Sequence, residues 1–324
     1  SRRQRQMCIR DRYMAEVIEE LKDGRKHPAV HTYTSTLHSF AAFSGDAMPM
    51  NEVFTPGRLK EYEDWLLQRR LSWNTISTYM RTLQAVYNRL SPPGTPEHNP
   101  RLFDDVYTKV KSQIKRALTE EQMGRLMHAD LDVLSEELQR VQAYFLLMFL
   151  FRGMPFIDLA HLRKRDVKDG KIAYRRHKTG KQITLRIPRE ALPLLKEFKD
   201  KDETSLYLFP ILNAAPEGDD ALYECYQKAL RNFNKMLRVL AKRLLPGIKI
   251  SSYTARHTWA TLAYHIGMPI GIICQALGHS SIRVTETYLK PFENEKVDKA
   301  NRKLISTVKK HEGRSGRCFI YYKT

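Results

Sequence analysis

Residues 91–96 read Ser-Pro-Pro-Gly-Thr-Pro, the densest cluster of helix breakers in the chain. No helix or sheet ladder runs through such a segment, because each proline lacks an amide donor and fixes its own φ while the glycine loosens the backbone. The chain must therefore fold as one body before these residues and another after them. At about 100–200 residues per domain, 324 residues suit two domains that each bury a core. Hydrophobic residues at 42% and charged residues at 28% exclude a disordered polycation. The longest unbroken apolar run, 143–151, falls well short of the roughly 18 residues of a membrane span, so the chain is not expected to cross a bilayer.

Ahead of the breakers, apolar residues recur every three or four positions, the period of a helix with one buried face. Met14, Val17, Ile18 and Leu21 make one stripe, and Tyr33, Leu37, Phe40 and Ala41 make a second. Thr55-Pro56 supplies a cap followed by proline at the first helical position, after which Leu59, Tyr62 and Leu66 continue the period. A fourth helix follows Asn74, with Ile76, Tyr79, Met80, Leu83, Val86, Tyr87 and Leu90 inward and Ser77, Thr78 and Arg81 on its polar side. These spans predict a four-helix module over 13–96. A polar segment rich in Lys and Arg over 97–116 reads as a linker, and residues 1–12, which have no apolar period, read as a non-native leader.

Leu118-Thr-Glu-Glu-Gln-Met123 restarts the chain with a capping box, Thr119 to Gln122, and a hydrophobic staple of Leu118 on Met123. A helix over about 136–151 is apolar on all sides from Tyr144, which marks it as buried. The period then changes to two: 171–176 and 181–187 alternate around His177-Lys-Thr-Gly180, which predicts a hairpin. Helical spacing returns from 222 to about 309, ending in a stripe of Val297, Ala300, Leu304 and Val308. The expected fold class is mainly α with a small β-sheet, a helical module followed by an α+β domain over 117–310 and a tail over 311–324.

Charge narrows the partners. The net charge is +19, and between Arg163 and Arg186 ten Lys or Arg accompany only two Asp around the predicted hairpin. A surface of this kind finds its natural partner in phosphate, through neutralisation and counterion release, so nucleic acid is favoured. Cys8, Cys225, Cys274 and Cys318 form no CxxC pair, which fits neither a disulfide framework nor a zinc ribbon and points to a reducing compartment. No secretion signal is evident, and the expected location is the cytoplasm. No carboxylate constellation or His/Cys ligand spacing stands out, so no metal site and no cofactor are expected.

The most specific string is Leu277-Gly-His-Ser-Ser-Ile-Arg-Val-Thr-Glu-Thr-Tyr288, preceded by Ser251-Ser-Tyr-Thr-Ala-Arg-His257. Over 116–300 the chain resembles the tyrosine recombinase, or phage integrase, family, whose signature joins a His-x-x-Arg box, an LGH-Ser-Ser turn and a nucleophilic Tyr nine residues after the second His. Asn74-Thr-Ile-Ser-Thr-Tyr79 and its helices look like the family's SAM-like core-binding domain, and the flavour is that of conjugative-transposon integrases. The resemblance implies a site-specific DNA recombinase of a mobile element that cleaves through a 3′-phosphotyrosyl link without metal or ATP. It further implies attachment-site DNA, a homo-tetramer clamped on that DNA, accessory bending or excision proteins, and a last helix that docks on a neighbouring protomer.

Tyr288 would be the nucleophile and Arg256 the cation, since a planar guanidinium grips two phosphate oxygens at once. His279 would donate to that phosphate or orient it, and Lys178 would protonate the departing 5′ oxygen, with Lys181 as its rival. Arg175, Arg176 and Lys181 on the hairpin, with Ser77, Thr78 and Arg81 on the module, would contact DNA. Two positions depart from the pattern. Pro155 stands where the first catalytic Arg belongs, with Arg152 one helical turn earlier as its replacement, and Tyr253 stands at the first His, where a phenol is a poor base. His257 is expected to point elsewhere. These departures leave open a DNA-binding protein with impaired catalysis, and the shared chemistry leaves open a type IB topoisomerase-like enzyme.

Overall fold

Prolines end a helix without ending a domain, and the first unit illustrates this. In the computed structural model, which describes residues 9–24, 27–45, 54–110, 117–129, 134–212, 218–289 and 294–312, four helices precede the breakers. They are α1 (Ile9–Asp23), α2 (His27–Ser44), α3 (Pro56–Gln68) and α4 (Trp73–Leu90). Helix α1 begins four residues inside the segment read as a leader; residues 1–8 lie outside the described residues. Thr55 caps α3 by accepting from the Arg58 amide, and Ser72 caps α4 by accepting from Thr75. Met14, Phe40, Leu59, Tyr62, Leu66, Ile76, Met80 and Leu83 then form a core with no solvent exposure.

That core does not stop at residue 96. Leu102, Phe103 and Val106, placed in a linker by the sequence, are buried in the same cluster. Successive turns from Pro92 fold the chain back: Thr95 N donates to Pro92 O at 3.1 Å and His98 N to Thr95 O at 3.1 Å. The Tyr87 hydroxyl accepts from Asn99 N at 2.7 Å, and the buried Glu63 carboxylate accepts from Tyr107 N at 2.5 Å. Residues 111–116, the rest of the segment expected as a linker, lie outside the described residues. A second correction concerns Ser77, expected on the polar side of α4: it is fully buried, and Oγ finds no hydrogen-bond partner among the described residues. Thr78 is half-buried with its hydroxyl donating to Asn74 O, and Arg81 is exposed.

The second unit is built around α6 (Glu136–Leu150), continuously buried from Val141 to Met148. Ahead of it lies α5 (Glu120–Met127), whose predicted capping box between Thr119 and Gln122 is present. A short α7 (Phe156–His161) follows, and Phe156 stacks on Phe233 with ring centroids 4.3 Å apart. The expected hairpin forms as β2 (Lys171–Arg175) and β3 (Gln182–Arg186), in antiparallel register Lys171 to Arg186 through Arg175 to Gln182. A two-residue β1 (Val167–Lys168), too short for any period to announce, pairs on the outer side of β2. Then come α8 (Ala191–Phe198), α9 (Asp219–Leu244), α10 (Ser252–His265), α11 (Ile270–Leu277), α12 (Ile282–Glu286) and α13 (Asn294–Glu312). The fold is mainly helical with one three-stranded sheet, as expected.

On α13 every described side chain from Val297 to Ser306 is exposed, so the stripe of Val297, Ala300 and Leu304 is uncovered in this chain; the side chain of Val308 lies outside the described residues. No helix among the described residues is long and apolar enough to cross a membrane.

The burial of Phe103 makes the extended first unit testable. Phe103→Ala in the full-length chain is expected to destabilise the unit that unfolds with α1–α4 by about 3 kcal/mol, the usual cost of removing a buried aromatic ring. Denaturant unfolding followed by tryptophan fluorescence would read it; a midpoint unmoved by the substitution would return 97–106 to linker.

Candidate active site

Two glycines shape the site. Gly153 follows Arg152 in a turn where both residues have positive φ, 59° and 68°, and a Cβ at 153 would lie 3.0 Å from the Arg256 Cα. Gly278 ends α11 in the left-handed conformation, with its amide bonded to Gln275 O and the next amide to Cys274 O. A Cβ there would lie 2.8 Å from Ile183 Cδ1 of β3. The two turns can thus approach α10 and the hairpin more closely than any other residue would permit.

Arg256 occupies the space between them, 2% exposed. Its Nη1 donates to Gly153 O at 2.8 Å, and its Nη2 donates to Leu277 O at 2.6 Å and to His279 Nε2 at 2.9 Å. Helix α10 is set in place by its first turn, where Ser252 N donates to Asn234 Oδ1 of α9 and Ser251 N to Thr254 Oγ1. Burial, then the neighbouring Arg176, pull the Arg256 pKa down from its ordinary value, although a guanidinium remains charged at any physiological pH.

That permanent charge determines the state of His279. Since Arg256 can only donate, His279 Nε2 accepts, and Nδ1 carries the proton that it donates to Thr285 Oγ1 at 2.9 Å. Burial and the charges of Arg256, Arg176, Lys178 and Lys181 lower its pKa to about 3, so the ring is neutral at neutral pH. His279 therefore orients Arg256, and Nε2 accepts rather than donates while this bond holds.

Tyr288 follows α12, whose start is capped by Ser281 accepting from Val284 N. Its half-buried ring lies 4.9 Å from the His279 ring, and Arg256 Cζ lies 5.5 Å from the Tyr288 centroid. Tyr253 stacks nearly parallel to Tyr288 at 6.4 Å. Tyr253 keeps 46% of its surface exposed, yet desolvation on its inner side, and then Tyr288 beside it, push the phenol up; even at the ordinary phenol value of about 10 it stays protonated and cannot serve as a base at neutral pH. His257 corrects another expectation: its ring lies 4.8 Å from Tyr288, and Nδ1 lies 3.4 Å from the Tyr288 carbonyl oxygen, to which Thr261 Oγ1 also donates.

The basic hairpin divides in two. Arg175, Lys178 and Lys181 are exposed, and both lysine charges reach His279. Arg176, expected on the same outer surface, is instead 4% exposed and donates from Nη1 to Gly278 O at 3.1 Å. Arg152 is half-buried, makes no hydrogen bond or ion pair among the described residues, and has a charge felt at the buried Tyr174 hydroxyl. Sequence reasoning missed Thr285, Thr261, Gly153 and Asp158. Asp158 is buried, accepts from His177 N at 2.8 Å, and has a carboxyl pKa raised by burial. Among the described residues no group of three or more His, Cys, Asp or Glu is placed to hold a metal ion.

Among family models, the phage integrase family matches residues 116–295, and the phage integrase SAM-like domain matches residues 12–90. The chain belongs to the phage integrase family. It is a tyrosine recombinase, with Tyr288, Arg256 and His279 gathered in the matched domain. Among its relatives is the tyrosine recombinase XerA of Pyrococcus furiosus, 25% identical over 89% of this chain and 94% of that protein. Among solved structures it is similar to the Tn1549 transposon integrase in complex with a circular intermediate DNA, at 17% identity and a TM-score of 0.64, over 92% of this chain and 99% of that one. It is also similar to a lambda integrase tetramer bound to a Holliday junction, at 15% identity and a TM-score of 0.60, over 86% of this chain and 76% of that one. Its likeness to conjugative-transposon integrases is thus visible in the fold.

The neutral buried imidazole predicts a pH dependence of stability. Between pH of about 3 and 6.5 the unfolded chain holds a proton on His279 that the native state does not, so this group makes stability rise with pH, by at most about 1.4 kcal/mol per unit. The contribution is level above 6.5 and is lost progressively as the solution is acidified. His279→Gln removes the titration, and urea midpoints from pH 4.5 to 7.5 should show a shallower slope than the unaltered chain. Identical slopes would contradict a neutral His279.

Proposed function

We propose that this recombinase is the site-specific integrase of a mobile genetic element, acting on duplex DNA in the bacterial cytoplasm through a 3′-phosphotyrosyl intermediate. The observation that carries the reading is the Tyr288 ring set against a buried arginine and its histidine, with Arg256 Cζ 5.5 Å from the ring. The fold-level likeness to a transposon integrase supports the mobile-element part of the reading, and the likeness to an integrase tetramer on a Holliday junction supports a homo-tetramer as the form that acts on DNA.

In the reaction, the Tyr288 hydroxyl gives up its proton to water as its oxygen attacks phosphorus, a phosphorus–oxygen bond forms, and the bond to the 5′ oxygen breaks. Lys178 gives a proton to that departing oxygen, leaving a free 5′ hydroxyl. Negative charge on the non-bridging oxygens is met by Arg256, with Arg152 as the second cation, in a pocket whose dipoles are already fixed. Arg256 has its Nε buried without a partner among the described residues, a donor left over from the bonds that hold it. His279 and Thr285 keep the guanidinium oriented, and Tyr253 packs beside the nucleophile as a protonated phenol. The bond energy stored in the phosphotyrosine supports religation without ATP. Arg175 and Lys181 on the hairpin, with Arg81 and Thr78 on α4, supply phosphate contacts.

Tyr288→Phe removes one oxygen from the proposed nucleophile. With a nicked suicide substrate, the unaltered chain should accumulate a covalent protein–DNA adduct in EDTA, while the Phe variant binds the same DNA and forms none. A strict requirement for magnesium, or adduct persisting in the variant, would contradict the mechanism. Relaxation of plasmids that carry no attachment site would transfer the reading to a topoisomerase.

A further inference from the structure

Arg176 stands where β2 ends and the hairpin turn begins. Its backbone closes that turn: Arg176 N donates to Lys181 O at 2.9 Å, and Gly180 N donates to Arg176 O at 2.8 Å. Its side chain runs inward, donating from Nη1 to Gly278 O, and its Nε lies 4.0 Å from Asp158 Oδ2. The other Asp158 oxygen accepts from the amide of His177. Residues 176 and 177 are therefore held from two sides, by the turn before His279 and by a buried carboxylate of α7. The next residue is Lys178, whose side chain is exposed and makes no hydrogen bond or ion pair among the described residues. With a flexible four-carbon stem, the place of its ammonium is set by the backbone that carries it.

We propose that Arg176 is a positioning residue for Lys178: it ties the hairpin tip to the Gly278 turn, so that the proton donor, the phosphate-binding Arg256 and the His279 that orients it share one rigid frame. The role rests on Lys178 being the general acid of the reaction given above. It calls for arginine, because a guanidinium donates through Nη to a carbonyl while presenting Nε to a carboxylate, and an ammonium has no such fork. The close packing of Gly278 on Ile183 works to the same end, since it lets the turn lie directly on β3.

The test compares single-turnover cleavage of a nicked duplex bearing the ordinary 5′-bridging oxygen with the same duplex bearing sulfur at that atom. A thiolate, with a reference pKa of about 8.5, departs without needing a proton, so the sulfur substrate bypasses the general acid. Lys178→Ala and Arg176→Met should each lose on the order of 100-fold on oxygen and recover to within about tenfold of the unaltered chain on sulfur. Arg176→Lys should fall between. Asp158→Asn keeps an acceptor for the His177 amide while removing the charge that faces Arg176, and should show a smaller loss with the same recovery. Equal slowing of both substrates by Arg176→Met and Asp158→Asn would overturn the positioning role and assign Arg176 to the phosphate or to folding alone. Failure of sulfur to rescue Lys178→Ala would remove the general acid, and absence of cleavage by the unaltered chain would remove the reaction; either would overturn the role as well.

Discussion

A guanidinium taken out of water costs several kcal/mol unless its donors are met, and Arg256 is 2% exposed. The surrounding chain answers that cost with oxygen atoms at the ends of secondary elements: Gly153 O after α6, and Leu277 O where α11 closes. Arg176 repeats the device one step away at Gly278 O. The close approach is helped by the missing Cβ at 153, which would lie 3.0 Å from the Arg256 Cα, and at 278, where it would press on Ile183. The requirement to hold two buried cations thus fixes the turns, and the turns fix the hairpin, α10 and the segment that ends in Tyr288. The small core of Ala260, Ala263, Ile273, Leu277 and Leu289, with Tyr288 packed on it, completes the support. In the reaction proposed above, an anionic transition state would meet charge that is already oriented, which is where preorganised catalysis draws its energy.

The neighbours of Arg256 divide the labour differently from what their residue types suggest. A histidine buried from solvent and beside two guanidiniums is pressed into its neutral form and accepts, so His279 sets the arginine while Thr285 sets His279. A phenol in place of the first histidine of the box cannot take a proton, and Tyr253 contributes a protonated ring stacked on Tyr288. His257, four residues along the same helix, brings an imidazole to within 4.8 Å of the Tyr288 ring.

Much of this was legible in the sequence, and the errors have physical causes. The two-residue period located the hairpin because its alternate residues, Ile172, Tyr174, Ile183 and Leu185, face the core. The same alternation, carried one step past the strand, places Arg176 on the inner face with Tyr174; charge density around it suggested the outer one. Tyr253 and His257 are four apart, the spacing of one helix face, so the approach of His257 to Tyr288 was also readable. Ser77 was misplaced because the buried face of α4 is wide enough to admit a small side chain between Ile76 and Met80. The boundary at residue 96 failed because prolines report where helices stop, while the burial of Phe103 depends on contacts made far away in sequence. Nothing local reveals that Asp158 would meet His177 or that Gly153 would meet Arg256, since both pairings are created by the fold.

The account depends on which oxygen becomes bonded to DNA, and two phenols stand side by side in the pocket. Trapping the protein on a nicked duplex, digesting both components and sequencing the nucleotide-bearing peptide by mass spectrometry would identify that oxygen directly. The modification should map to Tyr288, on the peptide that follows Arg283. A nucleotide found on Tyr253 would contradict the central claim, because the groups that orient Arg256 would then serve a different nucleophile.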